Sequence, residues 1–175
     1  DSGGRVLRLI RDGLTNTDQR VKTGQSVTPM FLYAVMLWDA IRDSAAALTA
    51  EQGLKPTEAM LRANDAMVAG QQRYTAFPKR FSLPMKDILV MQQRFENRRG
   101  ARAQRLLDHK RFRAAYDFLL LRARCGEADQ ALADWWTEVQ TLPPDEQRKA
   151  FETKRPRRRK PRRSGRREAQ PGQAH

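Results

Sequence analysis

The stretch VTPMFLYAVMLW, residues 27–38, decides the fold more than any other part of this sequence. Thr28 can cap the first free N–H groups of a helix, and Pro29 suits the first helical position. From Met30 to Trp38, nine apolar side chains follow one another without interruption. They would cover every side of a helix, and a helix that is apolar all round is buried all round. We therefore predict a central core helix over about residues 29–48.

Apolar residues recur at helical spacing on both sides of this stretch. The patterns are Val6–Leu14, Met60–Tyr74, Met85–Phe95, Ala103–Leu107, Phe112–Ala123 and Leu132–Val139. The expected boundaries are helix ends at Gly13, Gly126 and Pro143, and helix starts at Pro56, at Ser82-Leu83-Pro84 and at Glu127. No segment shows sustained alternation of apolar and polar residues, which is the pattern of a half-buried strand. The predicted fold is an all-α bundle of about six or seven helices.

Positive charge dominates the segment from Lys154 to Glu168. Ten of these fifteen residues are Lys or Arg and one is acidic, which places +9 of the chain's formal +14 here. Like charges repel and nothing apolar is present to bury, so we predict a disordered tail that seeks a polyanion. Nucleic acid is the favoured partner, and an anionic membrane surface is the alternative. The candidate RNA-binding residues of the tail are Lys154, Arg155, Arg157, Arg158, Arg159, Lys160, Arg162, Arg163, Arg166 and Arg167.

A second group of basic residues lies within the helical part. Arg98, Arg102 and Arg105 fall at positions i, i+4 and i+7, so one helix would place them on one face. Arginine presents a planar set of donors that matches phosphate oxygens. An ordinary solvated basic face is the alternative interpretation. The candidate RNA-binding residues outside the tail are Arg80, Arg98, Arg99, Arg102, Arg105, Arg111 and Arg113.

Residues with catalytic or metal-binding potential are few. His109 and His175 have no nucleophile or metal partner at motif spacing, so a structural or capping role is expected for His109. Cys125 is the single cysteine, which excludes an intramolecular disulfide and a cysteine-based zinc site. For Glu127 and Asp129 we expect a favourable interaction with a helix N-terminus. No catalytic residue and no metal ligand is predicted, and no apolar run approaches the roughly 18–20 residues that cross a bilayer.

Two adjacent tryptophans, Trp135 and Trp136, cannot both point inward equally. One of them could be exposed and stack on a base. Packing at a rim or at a domain interface is the favoured interpretation.

Several segments together resemble the C-terminal part of bacterial poly(A) polymerase, a nucleotidyltransferase. They are Asn16-Thr17-Asp18, VTPMFLYAVMLW (27–38), KRFSLPMKDI (79–88), HKRFRAAYDFLLLRA (109–123) and Ala133-Asp134-Trp135-Trp136. The Arg-rich tail is typical of the family as well. Asp39, Leu89 and Lys110 depart from the family's usual residues at packing or loop positions.

The resemblance implies an enzyme that adds AMP from ATP to RNA 3′ ends without a template. The family's catalytic head, with its Gly-Ser signature and paired carboxylates, has no counterpart here, so ATP and magnesium are expected to bind outside this chain. The chain alone should be inactive, cytoplasmic and monomeric. Its expected partners are single-stranded RNA 3′ ends and the head and neck of the same polypeptide. The implied division is the end of the neck helix and a connector (1–25), a helical body (26–143) and a basic tail (144–175).

A stand-alone basic helical RNA- or DNA-binding module, such as an RNA chaperone, is the alternative function. Such a module would expose no large apolar patch, whereas the polymerase interpretation expects one near Val6–Leu14, where the head and neck would pack.

Overall fold

A computed structural model of the chain describes residues 2–24, 28–72 and 77–152. These residues form eight helices and no strand, which confirms the predicted all-α class. The helices are α1 (Ser2–Lys22), α2 (Pro29–Gln52), α3 (Pro56–Gln71), α4 (Lys79–Phe95), α5 (Ala101–Gln104), α6 (Phe112–Arg124), α7 (Gln130–Thr141) and α8 (Pro144–Ala150). Tyr74, which was expected on the inner stripe of α3, lies outside the described residues.

Helix α2 is the centre of the bundle, as predicted, and packs against α1, α3, α4 and α6. Pro29 occupies its first position, but the side chain of Thr28 makes no capping hydrogen bond. Gly53 ends the helix at φ 64°, where its N–H donates to the Thr49 carbonyl. The prediction that α2 is buried all round is wrong for Met36, which is 58% exposed. The four neighbouring helices leave that side of α2 open.

Helix α1 does not end at Gly13, as the sequence predicted, but continues to Lys22. A Cβ atom on Gly13 would lie 2.8 Å from Cγ1 of Val35 on α2. Real Cβ contacts are essentially never this short. Gly13 is therefore a site of close helix packing, and its backbone remains helical.

Two further helix starts differ from the prediction. Helix α4 begins at Lys79, three residues before the Ser82-Leu83-Pro84 signal, and includes Pro84. Proline removes one donor from the early part of this helix, and packing against α2 and α3 holds the segment helical. Helix α7 begins after Asp129, whose Oδ1 accepts a hydrogen bond from Ala131 N at 2.9 Å. The expected favourable interaction of Asp129 with the helix N-terminus is thus confirmed, and Asp129 serves as its N-cap.

Helix α6 carries the predicted inner stripe. All five of its stripe residues are buried, namely Phe112, Ala115, Tyr116, Leu119 and Ala123. Its first residue joins an aromatic cluster with Phe95 and Trp136, with ring centroids 5.9 Å apart in both pairs. Trp136 also donates from Nε1 to the Phe95 carbonyl at 3.0 Å, so α4, α6 and α7 are held together at one end.

Helix α8 lies in the region that the sequence assigned to the tail. The residue that follows it, Phe151, is only 2% exposed and packs edge-on against Trp135 at 5.3 Å. The Phe151 carbonyl accepts a hydrogen bond from Gly100 N at 2.7 Å. Ala150 and Phe151 are the only apolar residues between Pro144 and the basic run, which is too weak a pattern to predict a helix. The division at residues 25 and 143 stays a prediction.

Arg122, a buried arginine of α6, connects this helix to α2, to α4 and to the turn before α7. Nη1 of Arg122 donates to Gln92 Oε1 at 3.1 Å, and Nη2 donates to the Glu127 carbonyl at 3.0 Å. The guanidinium carbon lies 4.2 Å from the ring centroid of Trp38. Burial lowers the pKa of Arg122 to about 10, which still leaves the side chain charged at neutral pH.

Glu127 does not act at the N-terminus of α7, in contrast to the expectation from its sequence position. Its carboxylate pairs with Arg42 of α2 and, at 3.7 Å, with Arg5 of α1. Ion pairs of Glu127 therefore connect the turn before α7 to α1 and α2.

Candidate nucleic-acid interface

The predicted arginine stripe is not formed on a single helix. Helix α4 ends at Phe95 and α5 is a single turn that begins after Gly100, so Arg98 and Arg99 lie in the connecting loop. Gly100 has φ 82° and ψ 169°, a conformation that interrupts the helix and that glycine adopts at little cost. The assumption of one continuous helix, on which the spacing argument depended, is therefore wrong.

The loop instead brings basic side chains from several elements around one cleft. This cleft, which we call the α4–α5 cleft, has a volume of about 640 Å³. It is lined by Thr57, Gln93, Arg94, Asn97, Arg102, Ala103, Arg105, Leu106 and His109. Of the predicted residues, Arg102 and Arg105 are among these. Arg94, from the last turn of α4, and His109, from the turn before α6, complete the basic lining.

The α4–α5 cleft carries positive charge that no acidic group balances. Among the residues that the structure describes, no Asp or Glu lines it. Within the same ranges, Arg94, Arg102 and Arg105 form no ion pair, although Arg105 Nε donates to the Ala101 carbonyl at 3.3 Å. His109 Nδ1 accepts from Arg111 N at 3.1 Å, so the neutral imidazole carries its hydrogen on Nε2. The lining is thus rich in donors and suits an anion.

A second basic cleft, the α1–α6 cleft, lies at the start of α6 and has a volume of about 210 Å³. It is lined by Asn16, Thr17, Arg20, Thr28, Met30, Phe31, Lys110, Arg111, Arg113, Ala114 and Asp117. Here an acidic residue balances part of the charge. Asp117 lies 3.1 Å from Arg113 Nε and 3.9 Å from Arg20 Nη1. Predicted residues Arg111 and Arg113 therefore meet in a cleft in which one carboxylate pairs with part of the basic lining.

The other predicted residues of the helical part, Arg80, Arg98 and Arg99, contact aromatic rings or are exposed to solvent. The guanidinium of Arg98 lies 5.8 Å from the ring centroid of Trp135, and that of Arg80 lies 4.8 Å from Phe81. Arg99 is exposed in the loop. Trp135 is half-buried between Trp136, Phe151 and Arg98, which agrees with packing at a rim.

Sequence reasoning missed the two other basic residues of the α4–α5 cleft, Arg94 and His109, and one of them left a signal. Arg94 lies four residues before Arg98 and so extends the same basic pattern by one helical turn. His109 was given a structural role, and its hydrogen bond to Arg111 N confirms that role. Only the fold reveals that its ring also borders the cleft.

The ten predicted residues between Lys154 and Arg167 lie outside the described residues. No helix in the described ranges is long and apolar enough to span a membrane. In that same part of the chain, no group of three or more His, Cys, Asp or Glu side chains is arranged to hold a metal ion.

Fold and composition together define an arginine-rich, all-helical domain. A family model described as the arginine-rich C-terminus of polymerase A matches residues 52–170, and the chain belongs to this family. The poly(A) polymerase I of Escherichia coli O6:H1 is 39% identical over 172 residues, which is 90% of this chain and 37% of that protein. The enzyme of Salmonella typhimurium is 36% identical over 171 residues, again 90% of this chain and 37% of the relative. The enzyme of Haemophilus influenzae is 34% identical over 134 residues, 76% of this chain and 30% of the relative.

The chain therefore spans about 37% of the length of the first of these relatives. The resemblance seen in the sequence is confirmed at the level of the family.

Proposed function

We propose that this chain is the RNA-binding, non-catalytic C-terminal region of a poly(A) polymerase, an enzyme that adds AMP from ATP to RNA 3′ ends. The match of residues 52–170 to the arginine-rich C-terminal family carries this proposal. In this assignment ATP and magnesium bind to the catalytic part of the polymerase. The α4–α5 cleft and the tail supply basic groups for the RNA backbone.

An exposed apolar edge on α1 supports a setting within a larger protein. Leu7, Leu14 and Val21 are 70%, 44% and 62% exposed, and they recur every seven residues along one edge of the helix. Such an edge is suited to packing against another folded part. It favours the polymerase region over a stand-alone RNA- or DNA-binding module, which would have no use for it.

The tail, residues 154–175, is proposed to raise affinity for RNA without reading its sequence. If it neutralises about six phosphates of a single strand, log affinity should fall with log salt at a slope near −4. A variant in which the ten Lys and Arg of residues 154–167 are replaced by Gln keeps the tail length and should flatten the slope markedly. Fluorescence anisotropy with a labelled oligoadenylate measures both slopes. Equal slopes for the two chains would show that the tail does not hold the backbone.

The chain is proposed to lack adenylyl transfer of its own. Incubation of the purified chain with magnesium, labelled ATP and an RNA primer should leave the primer length unchanged. A full-length homologous polymerase serves as the positive control. Any template-independent extension that copurifies with the chain would contradict the assignment of catalysis to another part of the protein.

A further inference from the structure

We propose that the α4–α5 cleft is a phosphodiester subsite for single-stranded RNA, held by Arg94, Arg102 and Arg105. This inference rests on the proposed RNA-binding function and assigns it a defined place on the folded body. His109 at the cleft edge offers an additional donor, its Nε2–H.

The first argument is the balance of charge. In the α1–α6 cleft, Asp117 pairs with Arg20 and Arg113, so two of the four basic side chains have an acidic partner. Three guanidinium groups share the α4–α5 cleft with no acidic lining residue in the described part of the chain. Like charges around one concavity repel one another and focus a positive potential. A bound phosphodiester removes this repulsion and gains charge-assisted hydrogen bonds from forked donors.

The second argument is that the backbone beneath the cleft is fixed before any ligand binds. Gly100 N donates to the Phe151 carbonyl at 2.7 Å, and Arg99 N donates to Asn97 Oδ1 at 3.1 Å. On the other side, Arg111 N donates to His109 Nδ1 at 3.1 Å. These hydrogen bonds order the backbone that carries the cleft residues, so less backbone entropy is lost when RNA binds.

The third argument concerns the kind of nucleic acid. The cleft volume of about 640 Å³ lies within the range of about 300–1,000 Å³ that is typical of small-ligand sites. A volume of this size can hold a short piece of a single strand. The side chains of Thr57, Gln93 and Asn97 add neutral donors and acceptors that can reach a 2′-hydroxyl or the edge of an unstacked base.

The last described residues lie against the loop that borders this cleft. Phe151 is bonded to Gly100, the N-cap of α5, and Lys154 follows it by three residues. Three residues of extended chain span at most about 10 Å. A strand in the cleft is therefore within reach of the first tail charges, and one RNA can occupy both.

The test compares variants of the 175-residue chain. Two double alanine variants each lose two positive charges, one pair in the cleft and one pair on α1. Arg102→Ala/Arg105→Ala should weaken binding of a labelled oligoadenylate by about tenfold or more and make the salt slope shallower by about 1.4. Arg8→Ala/Arg11→Ala removes two exposed arginines of α1 that line none of the described clefts and should change neither quantity by a comparable amount. Arg102→Lys/Arg105→Lys should keep the slope and still lose affinity, because lysine lacks the forked donors.

A local readout comes from His109, since the chain has only two histidines. Ring NMR signals, assigned with His109→Gln, should shift with the same midpoint as RNA binding. Inorganic phosphate should shift them weakly. Oligodeoxyadenylate and a polyglutamate peptide should bind less tightly than the RNA.

The outcomes separate the two proposals. If the unaltered chain binds no oligoadenylate, the RNA-binding function itself is wrong. If it binds RNA but the cleft and α1 variants behave alike, or the His109 ring stays unperturbed, then the cleft assignment is wrong. Tighter binding of the polyglutamate peptide would assign the cleft to an acidic protein segment.

Discussion

Arg122 provides the sharpest test of how this fold is held together. The side chain is 8% exposed, and its guanidinium group contacts α2, α4 and the turn before α7. Replacement by alanine removes a buried cation and leaves the buried Gln92 Oε1 without its donor. We expect Arg122→Ala to lower the free energy of unfolding by about 4 kcal/mol.

The magnitude follows from four contributions. The two hydrogen bonds from a charged donor contribute about 3 kcal/mol together, and the desolvated cation over Trp38 contributes about 2 kcal/mol. The cavity left by the aliphatic stem costs about 2 kcal/mol more. Burial outweighs the attraction of Glu127 and Glu96 and lowers the pKa of Arg122 to about 10, so the charged form is disfavoured by a net of about 3 kcal/mol, which removal of the charge recovers. The net loss is then about 4 kcal/mol.

Urea unfolding followed by circular dichroism measures this difference. Arg124→Ala is the matched control, since Arg124 is exposed two residues away on the same helix and surface changes stay within about 0.5 kcal/mol. Arg122→Met fills most of the cavity and should lose only about 1–2 kcal/mol. The double variant Arg122→Met/Gln92→Leu should lose less stability than the sum of the two single variants, because each single change already removes the hydrogen bond between Arg122 and Gln92. A loss for Arg122→Ala within 1 kcal/mol of Arg124→Ala would refute the reasoning.

Two other predictions use single positions with clear geometry. Gly13→Ala should lower stability by about 1 kcal/mol, because the clash with Val35 outweighs the gain in helix propensity. Gly70→Ala, where nothing lies within 4 Å of the new Cβ, should raise stability by about 0.5–1 kcal/mol; thermal unfolding of both variants checks the difference, and equal shifts would contradict close packing at Gly13. Burial raises the pKa of the Cys125 thiol, and the carboxylate of Asp12 reinforces this. Alkylation of Cys125 by iodoacetamide at pH 8 should therefore be slow in the folded chain and fast in urea, whereas equal rates would show that the thiol is accessible.

The sequence predicts the class of fold well because helical periodicity is a strong local signal. The stripe from Phe112 to Ala123 repeats over three turns, and all its members are buried. Helix boundaries are harder to predict than the fold class, because one residue type can serve several structural roles. A glycine after an apolar stripe suits a helix end, as at Gly53, but Gly13 serves close packing instead. Only the position of Val35 on another helix separates the two cases.

The candidate interface, like the helix boundaries, could be predicted only in part from the sequence. Composition identifies the basic residues, but their spacing gives a face only if one helix contains them all. Helix α4 ends at Phe95, and the loop up to Gly100 places Arg98 on the ring of Trp135 while Arg102 lines the cleft. His109 lines the same cleft as Arg102, although turns and not a helix connect the two residues. No local pattern carries that information, since it depends on the packing of α4 against α6.

Tail and cleft are proposed to contribute different things to one RNA complex. Charges on a solvated segment attract a polyanion over about a Debye length, roughly 8–10 Å, but do not fix where it lies. Forked donors on a fixed backbone act over hydrogen-bond distances and do fix it. The hydrogen bond from Gly100 N to the Phe151 carbonyl connects these two functions, because it holds the residues that precede the tail beside the loop that forms the cleft. A strand held by the tail is therefore presented to the cleft at high effective concentration, so a modest contact there is enough to position the RNA.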